Sequence, residues 1–177
     1  MKEDNKRSGG SKQGEHVFNA LGDLVSQFIN ELTRNINASA PDSSRSDAQK
    51  TISQLQEYAT EFVRKRNNSD FRAGPQGDAA NSHRYATFVD TTRTAIRDML
   101  SGNPSRQTRG YSDLTKLLNN LDFYTIDTTA HDSVRAQLSA ARQREFDTWY
   151  DETKALMHLT FKTLIDAALA VNKTNAN

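Results

Sequence analysis

Arginine is the residue type whose spacing in this sequence most clearly indicates a chemistry. Residues 62–109 contain nine lysines and arginines against four aspartates, a local net charge of +5. The flanking segments 1–61 and 110–177 each contain seven basic and nine acidic residues, so each has a net charge of −2. A basic segment within an otherwise acidic chain indicates a surface for a polyanion.

The arginines of this segment predict a phosphate-binding face. Arg93 and Arg97 are four residues apart and therefore share one face of a helix. Guanidinium groups offer paired donors to phosphate oxygens, and the attraction does not depend on base sequence. The candidate RNA-binding residues of this face are Arg64, Arg66, Arg72, Arg84, Arg93 and Arg97. In the alternative, Arg93 and Arg97 pair with Asp90 and Asp98 and form an ordinary charged surface.

The sequence contains no motif that indicates catalysis. It has no cysteine, which excludes disulfides and thiolate chemistry, and it has no GxSxG, Walker or ExxH pattern. The four histidines, His16, His83, His131 and His158, show no paired metal-ligand spacing. We therefore expect no enzymatic activity, no metal or other cofactor, and no small-molecule substrate.

The segment FDTWYDE suggests a surface between subunits. Asp147, Asp151 and Glu152 form an acidic helix face that could bind a cation or pair with a neighbouring subunit, and the alternative is a solvated face. Tyr150 is the better aromatic candidate for an interface, because Trp149 more often belongs to a core. The candidate interface residues are Asp147, Trp149, Tyr150 and Asp151.

Hydrophobic periodicity predicts helices before the basic segment. Residues 1–14 have no apolar residue after Met1 and are expected to be a disordered arm. Apolar positions at three-four spacing predict a first helix over 17–36. A capping-box pattern of Ser46 and Gln49 predicts a second helix over about 47–66.

A third helix is expected from Ser82 until Gly102 and Pro104 end it, and GNPSRQTRG is interpreted as a linker. Four leucines between 114 and 121 predict a short fourth helix, and DFYTIDTTAHD is interpreted as a turn. The last helical pattern begins near Thr129, and its length indicates either a bend or break near 142–145 or a helix that protrudes into a neighbouring molecule.

These patterns predict an all-α fold, a four- to five-helix bundle with a disordered N-terminal arm and a long C-terminal helix. The bundle is expected to be one domain over 15–172, followed by a tail at 173–177. Apolar residues are 35% of the chain, below the roughly 45–50% typical of globular domains. The core is therefore lean, which indicates either a polar small domain or one that gains stability by packing against copies of itself or another partner, and composition does not choose between them.

No apolar run approaches the roughly 18 residues of a membrane span, and the first residues lack the apolar core of a signal peptide. We therefore expect no membrane association and a cytosol-like compartment.

Two short elements of this sequence resemble the coat proteins of rod-shaped plant RNA viruses, the tobamovirus-like group. The first is Ser69, Asp70, Phe71 and Arg72, and the second is Arg84 and Tyr85 with Asp90, Thr94 and Ala95 in RYATFVDTTRTA. The similarity covers about 30 residues. The chain departs from the family pattern in a leucine-rich insertion at 112–121 and in lacking an aromatic strand element at its C-terminus.

The resemblance implies further RNA-binding residues. In that family, basic residues just past the third helix contact RNA, and Arg106 and Arg109 occupy that position here. A double-arginine element that opens the family's long fourth helix is matched loosely by Arg142 and Arg144.

The resulting hypothesis is a coat protein that assembles into a helical homopolymer and packages single-stranded RNA. It would be found in the virion, and in the host cytoplasm before assembly. The rival hypothesis is a non-enzymatic helical module whose basic face docks an acidic protein partner.

Overall fold

The computed structural model describes residues 17–18, 21–67 and 79–176. Within them lie seven α-helices: α1 Leu21–Arg34, α2 Asp42–Asn67, α3 Ala79–Met99, α4 Pro104–Asn119, α5 Leu121–Thr125, α6 Thr128–Ala136 and α7 Ala140–Ala176. These residues contain no strand. The predicted all-α bundle with a long C-terminal helix is confirmed, with more helices than the four or five expected. The arm at 1–14 and the element containing Arg72 lie outside the described residues.

Helix α2 begins earlier than predicted. Pro41 precedes it, and the Pro41 carbonyl accepts the first helical hydrogen bond from the Arg45 amide at 3.0 Å. The capping role expected of Ser46 is therefore wrong, because Ser46 already lies inside the helix. Asp42 is in the first turn, where a carboxylate is favoured by the helix dipole.

The segment GNPSRQTRG is not a linker, because most of it forms the first turns of α4. Gly102, with φ of +77°, ends the preceding helix as the sequence predicts. Asn103 then caps α4: its Oδ1 accepts a hydrogen bond from the Arg106 amide at 3.2 Å. Pro104 is at the first helical position, where its missing amide hydrogen costs nothing.

The segment predicted as a turn contains two short helices, α5 and α6. Asp127 caps the second of them by accepting a hydrogen bond from the Ala130 amide at 3.0 Å. The break before the long helix falls at 137–139, earlier than the 142–145 expected.

Helix α7 has 37 residues, about 55 Å at 1.5 Å per residue. It continues through the positions 173–176 that were expected to belong to a tail. Thr174 is buried and donates a hydrogen bond to the Ser44 carbonyl at 3.0 Å. Asn175 joins the chain beyond α1, because its Nδ2 donates to the Asn35 carbonyl at 2.7 Å and its Oδ1 accepts from the Asn37 amide at 2.8 Å.

The core lies where α7 packs along α2 and also contacts α1, α3 and α4. Phe88 of α3 and Phe161 of α7 pack with ring centroids 5.4 Å apart. An isolated antiparallel bridge joins Phe18 to Ile126, and it places the Phe18 ring 6.2 Å from Phe62 of α2. None of the helices in the described residues is both long and apolar enough to span a lipid bilayer.

Helices α3 and α4 approach each other closely at Gly110. A Cβ atom there would lie 2.5 Å from the Ala95 carbonyl oxygen and 2.9 Å from Met99 Cγ. A backbone oxygen cannot move aside as a flexible side chain can, so glycine is needed for this contact.

We predict that Gly110→Ala lowers the free energy of unfolding by up to about 2 kcal/mol. Overpacking a tight contact usually costs about 1–3 kcal/mol, and the gain of about 1 kcal/mol that alanine offers over glycine in a helix offsets part of that cost. Thermal unfolding followed by circular dichroism measures the change. Ser112→Ala, at an exposed position of the same helix, is the control, and a Gly110→Ala protein as stable as this control would contradict the close packing.

Candidate nucleic-acid interface

A buried carboxylate organises two of the predicted RNA-binding arginines at the corner between α3 and α4. The side chain of Asp98 is 6% exposed. Its Oδ1 accepts a hydrogen bond from Arg106 Nε at 3.1 Å, and its Oδ2 accepts one from Arg109 Nε at 3.3 Å. The two arginine side chains are 50% and 63% exposed. Asp98 therefore fixes both guanidinium groups while leaving part of each in solvent.

This arrangement leaves hydrogen-bond donors for an external anion. A guanidinium has five N–H donors in a planar fork, and the contacts with Asp98 use the Nε of each arginine and one further nitrogen of Arg106. One aspartate also neutralises only one of the two positive charges. The pair keeps a net charge of +1 and has less side-chain freedom to lose when a phosphate binds.

Arg93 and Arg97 lie in the last two turns of α3, and Arg97 directly precedes Asp98 in the sequence. Arg97 is exposed and has no ion pair among the described residues. Arg93 Nη1 lies 3.7 Å from Asp90 Oδ1, at the surface. Of the two ion pairs in the alternative interpretation, the one between Arg93 and Asp90 forms. The pair between Arg97 and Asp98 does not form, because Asp98 pairs with the arginines of α4. We call Arg93, Arg97, Arg106 and Arg109 the arginine cluster.

Arg84 does not share the face of Arg93 and Arg97. Nine residues separate Arg84 from Arg93, which is a rotation of about 180° at 3.6 residues per turn. The Arg84 guanidinium instead lies 4.5 Å from the centroid of the Phe123 ring. The expectation of one arginine face along α3 is corrected on this point.

The arginines at the end of α2 are also remote from the cluster. Arg64 pairs with Glu61 on its own helix, and Arg66 is 1% exposed. The Arg66 guanidinium carbon lies 5.8 Å from the centroid of the Phe62 ring. As placed, Arg66 presents no donor to an external phosphate, so its RNA-binding assignment is corrected.

Arg142 and Arg144 lie in the first turns of α7, where Arg142 pairs with Glu145 and Arg144 is exposed. The opposite end of α7 adjoins the α3–α4 corner, because Asn172 and Lys173 line one cavity with Met99 and Gln107. Some 28 residues of helix therefore separate Arg144 from the arginine cluster, roughly 40 Å. The two predicted contact regions are not brought together in one chain.

Most of the predicted interface residues are engaged within the chain. Asp147 accepts two hydrogen bonds from Arg135, at 2.9 and 3.1 Å. Trp149 Nε1 donates to the Lys65 carbonyl at 2.8 Å, as expected of a residue packed into the bundle. Asp151 is exposed, and it alone of the four remains available to a neighbouring subunit without rearrangement.

Tyr150 packs inside an aromatic cluster instead of forming an open surface. Its ring centroid lies 5.5 Å from that of Phe18 and 4.3 Å from that of His131. Burial raises the pKa of the Tyr150 hydroxyl, so the phenol stays neutral at physiological pH. The interface assignment of Tyr150 is corrected to a largely internal role.

Sequence reasoning missed a charged group around Asp122. His158 Nε2 lies 2.6 Å from Asp122 Oδ1, and Lys154 Nζ lies 3.1 Å from Asp122 Oδ2. The hydrogen bond to Asp122 raises the pKa of Lys154. The spacing of Lys154 and His158, one helical turn apart, was visible in the sequence, but their partner more than 30 residues away was not.

No group of three potential metal ligands occurs in the part of the chain that the structure describes. No protein family, curated protein or solved structure matches this chain. The function is therefore inferred from the geometry of the sites and from the short sequence resemblance.

We predict that Asp147→Asn lowers the thermal unfolding midpoint at pH 7 but leaves the assembly state unchanged. Hydrogen bonds from Arg135 hold the pKa of Asp147 below its usual value of 3.8. The pair therefore stabilises the fold at neutral pH, and the stabilisation is lost as the pH falls through the lowered pKa. Because both side chains are partly exposed, the difference from wild type should be small and should shrink in high salt.

Thermal melts at pH 7 and near pH 3 test the stability effect, and sedimentation velocity tests assembly. Asp151→Asn is the matched control, since that carboxylate is exposed and lies four residues further along the helix. A change in particle mass with Asp147→Asn but not with Asp151→Asn would restore Asp147 to a subunit interface.

Proposed function

We propose that this protein is a non-enzymatic structural protein that assembles with copies of itself and packages single-stranded RNA, as a viral coat protein does. The observation that carries the proposal is the arginine cluster, in which buried Asp98 holds Arg106 and Arg109 half-exposed and the preceding residue, Arg97, is exposed as well. Its four arginines and the two aspartates that contact them, Asp90 and Asp98, have a net charge of +2. By this proposal the protein is present in the virion, and in the host cytoplasm before assembly.

The cluster suits recognition of phosphates more than recognition of bases. Its side chains are four cationic guanidinium groups on two helices, and the nearest aromatic residue of α4, Tyr111, is not one of its members. Phosphate contacts of this kind position a nucleic acid without reading its sequence. Binding by this surface should therefore be sequence-tolerant and strongly dependent on salt.

Self-assembly is supported by apolar surface next to the cluster. Tyr111 and Leu169 are 45% and 39% exposed. With Met99 they line an open cavity of about 420 Å³ between α4 and the end of α7. Contacts between unlike surfaces of identical subunits produce rings or filaments, and the short coat-protein resemblance at RYATFVDTTRTA favours filaments.

We predict that the purified chain forms rods or filaments with single-stranded RNA, and that it carries RNA when isolated from cells. Negative-stain electron microscopy at moderate salt, with and without added RNA, tests assembly. The ratio of absorbance at 260 and 280 nm tests RNA retention, because a protein with one Trp and five Tyr absorbs weakly at 260 nm. Small dispersed particles without RNA in every sample would favour the rival module that docks an acidic protein.

We predict that Arg93→Ala combined with Arg97→Ala weakens RNA binding and leaves helix content unchanged. Both side chains are on the surface, and neither supports Asp98. Each phosphate contact with single-stranded RNA contributes about 0.7 to the slope of log K against log salt. The double variant should therefore reduce that slope by about 1.4, which fluorescence anisotropy with a labelled 12-nucleotide RNA can measure.

The matched control is Arg34→Ala combined with Lys50→Ala, which removes two exposed positive charges from α1 and α2. An equal loss of affinity in this control would show that net charge, and not the arginine cluster, determines binding. Replacing Arg106 and Arg109 by lysine tests the planar donors while keeping an ion pair to Asp98, and it should weaken binding without unfolding the protein.

A further inference from the structure

A second cavity lies away from the arginine cluster, where the first half of α3 meets α5 and the first third of α7. It has a volume of about 270 Å³ and is lined by Arg84, Asp122, Phe123, Ile126, Thr128 and Tyr150. Arg84 and Arg97 are 13 residues apart on α3, about 20 Å along the helix axis. The two regions can therefore be tested separately.

Arg84 has an unusual environment in this cavity. Its guanidinium carbon lies 4.5 Å from the Phe123 ring centroid, within the range of a cation–π contact. Its Nε is shielded from solvent and has no hydrogen-bond partner among the described residues. Buried donors in folded proteins are almost always paired with protein or ordered water, so this nitrogen is open to an acceptor from outside the described residues, such as a ligand.

Phe123 provides a flat surface at the same place. Its side chain is 55% exposed, the highest value for a large hydrophobic residue in the described chain. Tyr124 contacts it edge-on, with centroids 5.1 Å apart, and this contact helps to fix the ring. The Arg84 guanidinium lies over one face of this ring, and unstacked bases of single-stranded RNA pack on aromatic rings and on guanidinium planes alike.

The polar groups of the cavity include an acceptor as well as a donor. The Asp122 carboxylate lines the cavity, and Lys154 and His158 contact it. A carboxylate can accept about four hydrogen bonds, so Asp122 keeps acceptor capacity beyond these two contacts. Together, Arg84 as donor and Asp122 as acceptor suit a ligand with both kinds of group, and Thr128 and Tyr150 add hydroxyls that serve as either.

We propose that the Arg84–Phe123 cavity binds a single nucleobase, stacked on Phe123 and hydrogen-bonded by Arg84 and Asp122. The inference rests on the proposed RNA-packaging function and gives it a base-contacting site distinct from the phosphate-contacting cluster. The site would hold one unstacked base of the packaged strand.

The test compares the full chain with Phe123→Leu, which keeps an apolar side chain but removes the aromatic face, and with Phe123→Tyr, which keeps that face. Binding of a 12-nucleotide single-stranded RNA and of an abasic strand of the same length is measured by fluorescence anisotropy. We expect Phe123→Leu to raise the Kd for RNA about tenfold, the usual effect of losing one stacked base. It should leave the Kd for the abasic strand unchanged, and Phe123→Tyr should resemble wild type.

A second measurement uses single nucleotides, which do not depend on assembly. Isothermal titration with AMP, GMP and UMP should show binding that Phe123→Leu and Arg84→Gln each abolish, whereas ribose 5-phosphate should not bind. Circular dichroism confirms folding, and Arg84→Gln stands in for Phe123→Leu if the latter fails to fold.

The outcomes separate the two proposals. If RNA binds equally to wild type and to Phe123→Leu, and nucleotides do not bind, the base site is overturned and RNA packaging stands. If nucleotides bind through Phe123 but RNA is never retained or assembled, the base site stands and the packaging function is overturned. Ribose 5-phosphate binding as tightly as AMP would show a phosphate site instead, and absence of all binding would overturn both proposals.

Discussion

The packing of α7 along α2 is the contact on which the bundle depends. A helix of 37 residues is far longer than the body of a small domain and gains most of its stability from tertiary packing. Helix α7 also contacts α1, α3 and α4, so the remaining elements are arranged around it. Its second half is almost continuously buried on one side, from Met157 to Thr174.

Threonine adds to the buried surface of α7 in a chain with a lean apolar composition. Thr153, Thr160, Thr163 and Thr174 are buried on α7. The hydroxyls of Thr153, Thr160 and Thr163 donate to the carbonyl four residues earlier at 2.6 to 2.7 Å, and the Thr174 hydroxyl shares its hydrogen between the Ala170 carbonyl at 2.8 Å and the Ser44 carbonyl. The polar atom is thereby satisfied, and the rest of the side chain is buried with it. The low count of apolar residues therefore underestimates the core, and it does not by itself require burial against a partner.

The long helix also separates the charged regions that sequence reasoning had joined. Its first half adjoins the end of α2, where Lys65 pairs with Glu152, and its last turns adjoin the α3–α4 corner. The net charge of +5 over 62–109 is correct as composition, but the basic residues of this segment lie at separate places in the bundle.

Periodicity correctly predicted the helical fold, the buried stripe of α1 and the stop at Gly102. It could not predict that Asp98 pairs with Arg106 and Arg109, because such pairing depends on how two helices meet. The Asn103–Pro104 cap was readable in the sequence, but the surrounding glycines favoured a linker.

The close approach at Gly110 couples the stability of the bundle to the geometry of the arginine cluster. A Cβ at Gly110 would also lie 3.1 Å from Asp98 Cβ, so the missing side chain lets the backbones of α3 and α4 come together where Asp98 is buried. An aspartate side chain is short, and it can reach two arginines of the next helix only if that helix is near. The carboxylate is buried by the same contact, which strengthens its hydrogen bonds to the arginines. Gly110 has no side chain to contact a ligand, yet it determines whether the guanidinium groups of Arg106 and Arg109 are fixed by Asp98 or move freely in solvent.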